Sequence, residues 1–321
     1  MSIDHLPLPA AEQRFTPVAP APVADPAWRP VPRPWSPTPA ARASLWLHGI
    51  GLCVLAAWPA GWPWVAGAIA ADHAFLGLAG MRPRSRLLGP NLLRLPEAAI
   101  RRGEVTLTFD DGPDPAITPR VLDLLEAHGA KASFFVIGRR ALRYPDLARE
   151  ILRRGHDIEN HTYCHPYGFA CWGPGAMRRE IMAAQRAIAD TVGVEPRFFR
   201  PPLGLRSPLL DPALAASGLD YVSWTRRGLD GRSGDPAAVL RRLTRGLAAG
   251  DILLLHDAGR VRSPGGQPVA LEVLPALLAR IRALGLRAVS LRRALDGPDA
   301  VAIAAAAGAA ACPAPAGHAC R

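Results

Sequence analysis

The sequence predicts an α/β protein, a parallel barrel or an open parallel sheet of about seven strands, preceded by a membrane-associated helical hairpin. Three observations carry this expectation. From residue 105 to about 291, short apolar runs alternate with longer amphipathic stretches, the rhythm of repeated βα units. Ahead of them, from Ala43 to Ala71, the chain lacks Asp, Glu, Lys and Arg altogether, and apolar character resumes as far as Met81. Both ends of the chain are rich in proline and alanine and show no sustained apolar period.

Residues 1–43 read as an extended, mobile Pro/Ala-rich tail. No secretory signal is expected there, because such a signal opens with basic residues and an apolar run, whereas here polar and proline-rich residues come first. The uncharged stretch that follows exceeds the roughly 20 residues that span a bilayer. Pro59, Gly61 and Pro63 interrupt it, which predicts two helices at about 44–58 and 62–81 joined by a tight turn. Trp46, Trp58, Trp62 and Trp64 suit membrane interfaces, where an indole buries its ring and keeps its N–H wet. Arg29, Arg33 and Arg42 precede the hairpin, and Arg82, Arg84 and Arg86 follow it. By the positive-inside tendency, both ends then lie in the cytoplasm, with the following domain facing the cytoplasm from the inner membrane. Asp72 and His73 interrupt the second segment, so a hairpin buried on a soluble enzyme and a single-pass anchor remain alternatives.

Within the domain at 82–297, the expected strands are 105–109, 132–137, 157–160, 197–200, 221–224, 251–256 and 287–291. Helices are expected near 119–128, 145–154, 175–192, 209–217, 235–248 and 269–284, several opened by a proline where no N–H partner is needed. Residues 298–321 are an Ala/Pro low-complexity tail whose apolar run is too short and too weakly hydrophobic to span.

Composition narrows the function classes. A length of 321 residues allows one substantial domain with appendages, and 49% hydrophobic residues with a mean hydropathy of +0.09 exclude a disordered chain. The net charge of +11 raises nucleic acid or an anionic membrane as a partner. Lys131 is the sole lysine, however, and arginine is abundant together with alanine and proline, a composition that coding bias explains. The arginine pairs scatter through expected helices without the interleaved aromatics of a nucleic-acid groove, so no nucleic-acid partner is expected. Five cysteines, Cys53, Cys164, Cys171, Cys312 and Cys320, form no regular framework and suit a reducing, cytoplasm-facing setting, with a Cys312–Cys320 pair left open.

The chemistry-bearing residues fall at the carboxyl ends of expected strands, the face where βα barrels build their sites. The first strand runs into Asp110, Asp111, Gly112 and Pro113, which taken alone also make an ordinary turn. The third is followed by His161 and His165, four residues apart and within reach of one metal. Arg200 ends the fourth, Trp224 and then Asp230 follow the fifth, and His256 and Asp257 end the sixth. His5, His48, His73, His128, His156 and His318 read as structural or solvent-exposed histidines.

Taken in order, Thr108 to Pro113, Asn160 to Pro166, Phe199 to Gly204, Trp224 with Asp230, and Leu253 to Asp257 resemble the five motifs of the polysaccharide deacetylase family, carbohydrate esterase family 4 with its NodB-homology domain. The resemblance covers about 105–291. It implies a distorted (β/α) barrel and metal-dependent hydrolysis of an N-acyl group, usually acetyl on an amino sugar. By motif, Asp111, His161 and His165 correspond to the metal ligands, with zinc the default ion for two imidazoles and a carboxylate. Asp110 corresponds to the general base, oriented by Arg200, and His256 to the general acid, with Asp230 raising its basicity. The Leu203 N–H would share the developing oxyanion charge, and Trp224 and Leu255 would wall the acyl pocket. Asp257 would support His256.

Two departures bear on the sugar groove. Leu203 stands where the family commonly has an aromatic residue, and Gly231 where many members have tryptophan. Arg226 and Arg227 stand in a stretch where the family often has an acidic residue, which suits either an anionic substrate or solvated loop charges. The expected partners are therefore an N-acylated amino-sugar glycan or a lipid-linked sugar, together with the membrane. A deformylase or deacetylase of a polyprenyl-phosphate-linked sugar is one alternative activity, and a non-catalytic glycan-binding module is an alternative of another class.

Overall fold

A computed structural model describes residues 31–259 and 261–297. The expected tails at 1–30 and 298–321, with His5, His318, Cys312 and Cys320, lie outside the described residues.

The expected N-terminal tail ends sooner than its composition suggests. Thr38 caps a helix that starts at Pro39, its hydroxyl accepting from the Ala41 N–H, so the first helix includes Arg42. Residues 31–38 are extended but tied down. The Arg33 N–H donates to the Ala215 carbonyl at 2.9 Å, and the Arg33 and Trp35 side chains donate to the Asp211 carboxylate.

The hairpin consists of α1 (Pro39–Ala57) and α2 (Trp62–Gly80), with a single 3-10 turn at Pro59–Gly61 where prolines and glycine end one helix and start the next. Gly51 lets the helices approach, since a Cβ there would stand 2.9 Å from Val65 Cγ1. At its foot the hairpin docks through Leu76, Ala79 and Leu88, and the Arg206 N–H donates to the Gly80 carbonyl at 3.2 Å. Elsewhere its large apolar side chains, including Leu45, Trp46, Leu52 and Trp64, are exposed. Among the described residues, α1 is the one helix long and apolar enough to cross a membrane, with only 6% of its apolar window buried.

The remaining chain alternates as expected. After α3 (Glu97–Arg101) come β1 (Glu104–Asp110), α4 (Thr118–Ala127), β2 (Ala132–Val136), α5 (Gly138–Arg143), α6 (Pro145–Arg153), β3 (Asp157–Asn160) and α7 (Pro174–Val192). Then follow β4 (Phe198–Phe199), α8 (Leu210–Ala216), β5 (Asp220–Tyr221), β6 (Arg226–Arg227), α9 (Pro236–Thr244), β7 (Ile252–His256), α10 (Val269–Ala283), β8 (Arg287–Ala288) and α11 (Leu291–Asp296). The strands are parallel in the order β5-β4-β3-β2-β1-β7-β6, with β8 pairing the start of β1.

One expectation needs correction. The strand expected at 221–224 is shorter: β5 ends at Tyr221, Val222 makes an isolated bridge to Leu92, and β6 starts only at Arg226. Of the two expected architectures the structure shows the open one, a half-barrel of parallel strands: among the described residues no ladder joins β5 to β6. The extended segment at 92–95 fills this gap. The Leu92 N–H donates to the Tyr221 carbonyl, the Ser223 N–H to Leu92, and the Leu95 N–H to Gly250.

Every residue of β1 is buried, and the period-two alternation gives the strand two different faces. Val105, Leu107 and Phe109 pack outward against Val121, Leu122, Leu125, Leu274 and Leu277 from α4 and α10. Burial of each such side chain contributes roughly 1.5–3 kcal/mol. Thr106, Thr108 and Asp110 face inward, so the strand that anchors the core also delivers a carboxylate to the barrel mouth.

Candidate active site and metal centre

Register brings the first groups together. Asp110 on β1 pairs with His256 on β7, and Asn160 on β3 with Phe199 on β4, so the sequence-predicted residues rise from one rim. Beyond Asp110 the chain turns abruptly. Asp111 has φ 76°, and Gly112 approaches Asp257 so closely that a Cβ would lie 2.1 Å from its Oδ2. Asp257 therefore braces the Asp110–Asp111 turn rather than His256, as the sequence suggests. Its Oδ2 accepts from the Thr118 hydroxyl at 2.6 Å, and complete burial pushes its carboxyl up to about 7.

Asn160 shapes the histidine loop. Its side-chain amide donates to the Ile181 carbonyl and to Gln185 on α7, while its Oδ1 accepts from the Thr162 N–H. The Thr162 hydroxyl in turn accepts from the His165 N–H at 3.0 Å, and Glu180 accepts from the Cys164 N–H. Asp111, Thr162, His165, Leu203 and Leu229 are the described non-glycine residues with positive φ. Each costs about 1–3 kcal/mol, and all five lie at or beside this site, where strain is expected to serve function.

His161 Nε2 and His165 Nε2 lie 3.3 and 3.2 Å from Asp111 Oδ1, and ligand atoms of the three residues cluster within 4.8 Å. The Arg200 carbonyl accepts the His161 Nδ1–H at 2.7 Å, which leaves Nε2 with its lone pair toward Asp111. Asp111 Oδ1 is buried without a hydrogen-bond donor, so the set fits a cation: one orphaned carboxylate oxygen facing two imidazole nitrogens. Burial alone would raise the Asp111 carboxyl, but the imidazoles of His161, His256 and His165 around it hold it well below the usual range. Burial would depress His161, yet Asp110 and Asp111 lift it overall, while burial and His161 depress His165.

Arg200 is fully buried and spends its donors on the site. It donates to Asp110 Oδ1 at 2.6 Å, to the Thr108 hydroxyl at 2.9 Å and to the Val222 and Ser223 carbonyls, and its guanidinium lies 4.1 Å over the Phe135 ring. On the other side, Asp230 accepts the His256 Nδ1–H at 3.0 Å and the His256 backbone N–H at 2.8 Å. Burial would lower the imidazole, but Asp230, helped by Asp111 and Asp110, lifts it to about 9.

Asp110, Asp111, His161, His165 and His256 line one cavity of about 790 Å³, together with Leu203 and Trp224. Gly204, with φ 72°, permits the close packing of Trp224, since a Cβ would lie 2.3 Å from its ring. Gly231 leaves the His256 ring open to the cavity. Leu255 is a correction. It belongs to the outward core with Phe109, whereas Leu254, two residues before His256 and on its face of the strand, lines the cavity. The arginine pair is split likewise. Arg226 turns away to Asp251, while Arg227 lies over the Trp224 ring at 5.1 Å and lines the cavity with Arg139 and Arg232. Tyr167, which carries no motif signal, packs edge-on against His165 at 5.6 Å and is 77% exposed at the cavity. His156 is structural as expected, accepting from the Ala132 N–H and depressed by burial to about 3.

Comparison with known proteins agrees with this arrangement. A family model described as polysaccharide deacetylase matches residues 98–222. A peptidoglycan-N-acetylglucosamine deacetylase of Bacillus cereus is 35% identical over 193 residues, covering 60% of this chain and 87% of that protein. A chitooligosaccharide deacetylase of Sinorhizobium fredii is 36% identical over 167 residues, covering 52% and 77%. The structure of a family 4 carbohydrate esterase from Streptomyces lividans, in complex with acetate, superposes with a TM-score of 0.52 at 32% identity, over 58% of this chain and 91% of that one. The chain therefore belongs to the polysaccharide deacetylase family and is a hydrolase of carbon–nitrogen bonds other than peptide bonds.

Proposed function

We propose that this protein removes the N-acetyl group from N-acetylglucosamine units of a glycan or glycolipid. The observation that carries the reading is that Asp110, held by Arg200, and His256, held by Asp230, flank the Asp111, His161 and His165 cluster in a single cavity. Asp111, His161 and His165 would hold a divalent cation, zinc by donor set, which would supply Lewis acidity toward the acyl carbonyl and the attacking water. Asp110 takes the proton of the attacking water, and the bond from Arg200 Nη1–H to its Oδ1 keeps the carboxylate aimed. His256 keeps Nε2 toward the cavity because Asp230 occupies Nδ1–H, and Nε2 delivers a proton to the departing amine. The Leu203 N–H shares the oxyanion charge, while Trp224 and Leu254 enclose the acyl methyl. Exposed Tyr167 offers a face on which a sugar ring can stack.

A lipid-linked, phosphate-bearing sugar is the second reading, with formyl or acetyl as the acyl group. It is favoured by Arg227, whose Nε is buried without a partner, beside Arg139 and Arg232 on the same cavity. With it goes membrane attachment: the hairpin inserts at the inner membrane and the catalytic domain faces the cytoplasm, supported by the exposed apolar surface of α1.

The test is product identification. The zinc-loaded full chain is incubated with N-acetylglucosamine oligomers and with lipid-linked amino sugars, and the released acid is identified by mass. Acetate from the oligomers, absent with Asp110→Asn, supports the first reading, and release confined to lipid-linked sugars supports the second. Glycan binding without release from either substrate would favour the non-catalytic module.

A further inference from the structure

The hairpin carries a second group of metal-ligating side chains, well separated in sequence from the motifs. Between Arg42 and Arg82, Asp72 is the only charged residue. Within an apolar hairpin a carboxylate is costly unless something compensates it, and no lysine or arginine lies within that stretch to do so. What the fold brings to Asp72 is imidazole. His48 from α1 meets Asp72 and His73 from α2, and one ligand atom from each lies within 4.8 Å of the others.

The group has the same residue types as the catalytic cluster, two imidazoles and a carboxylate. The His48 and His73 rings are 5.2 Å apart, against 5.0 Å for His161 and His165. Ser44, one turn before His48, holds two of the three groups. Its carbonyl accepts the His48 Nδ1–H at 2.8 Å, and its hydroxyl donates to Asp72 Oδ2 at 2.6 Å. Ser44 thereby engages His48 Nδ1 and Asp72 Oδ2, leaving His48 Nε2 and Asp72 Oδ1 without a bond to Ser44. The sequence reading of His48 and His73 as structural or solvent-exposed histidines does not bring them together, because residues 24 or more positions apart meet only once the hairpin turns at Pro59–Gly61.

We propose that His48, Asp72 and His73 form a second site for a divalent transition cation, with zinc preferred by two imidazoles and one carboxylate. The cation neutralises the one carboxylate of the hairpin and ties α1 to α2 by ligands from both helices. The site is independent of the deacetylase reading and stands or falls separately from it.

Metal stoichiometry tests this directly. The full chain in detergent micelles is equilibrated with zinc, freed of excess by gel filtration, and its metal counted by mass spectrometry. We expect about two equivalents for the wild type and about one for either His48→Ala/His73→Ala or His161→Ala/His165→Ala, with none when the four changes are combined. The zinc retained in the pocket of the hairpin variant shows that this variant folds. Cobalt added to His161→Ala/His165→Ala should give visible ligand-field bands that vanish when His48→Ala and His73→Ala are added. One equivalent in the wild type, unaffected by the hairpin changes, would overturn the proposal, as would cobalt bands that survive them.

Discussion

Asp110 and His256 sit opposite each other in register on β1 and β7, yet each is gripped from a different side, Asp110 by Arg200 and His256 by Asp230. Adjacent strands place the carboxylate and the imidazole on one rim, and the two partners keep them from pairing with each other. Each stays free to act on the space above Asp111. This division sets the first expectation.

Asp110→Asn should keep the Arg200 side of the site and the metal ligands while removing the proton acceptor. We expect kcat/KM to fall by about 10²–10⁴-fold. Zinc content should stay at the wild-type value, so parallel loss of metal would contradict the role.

Arg200→Ala removes the buried partner of a buried carboxylate and opens a hole against Phe135. Breaking such a pair costs about 3–5 kcal/mol, and urea unfolding should report it. A loss of activity without any loss of stability would show that Arg200 acts on Asp110 alone.

The imidazole of His256, lifted to about 9, stays protonated through neutral pH and loses its proton as pH rises through that value. The alkaline limb of the kcat/KM profile should follow it. A cation on Asp111 opposes part of the lift, so the limb should move to lower pH as metal loads. Asp230→Asn removes the main raising influence, and the limb should shift down toward the ordinary histidine value of 6.5. An unmoved limb in that variant would remove His256 from the role of acid. The same pairing contributes stability below the unfolded value, which is lost as pH climbs through about 9.

Leu254 and Leu255 separate pocket from core. Leu255→Ala should destabilise by about 2–5 kcal/mol with KM little changed. Leu254→Ala should instead alter the preference between acetyl and longer acyl groups. Comparing unfolding curves and acyl-chain selectivity of the two variants checks the assignment, and a reversed pattern would refute it.

Much of the site is legible in the sequence. Asp110, Asp111, His161, His165, Arg200 and His256 each fall at or just beyond the end of an expected strand, and a βα pattern sends all strand ends to one rim whatever the loops do. Leu255 was misassigned because a continuous run of leucines carries no alternation to mark which residue faces the cavity. Tyr167 carries no motif signal, and the sequence marks Arg226 and Arg227 as a pair without telling which of them lines the cavity, since that depends on how the loops fold back over the mouth.

The amino-acid order by itself determined the alternation of strands and helices and the hairpin broken at Pro59 to Pro63, because these rest on local propensity and on spacing within single segments, and its motif order carried the family resemblance. Only the tertiary structure decided that the barrel stays open and is filled at 92–95, that Asp257 braces Gly112, and that His48 meets Asp72 and His73. Each of those is a contact between residues distant in the chain, and no pattern within one segment encodes a distance between two.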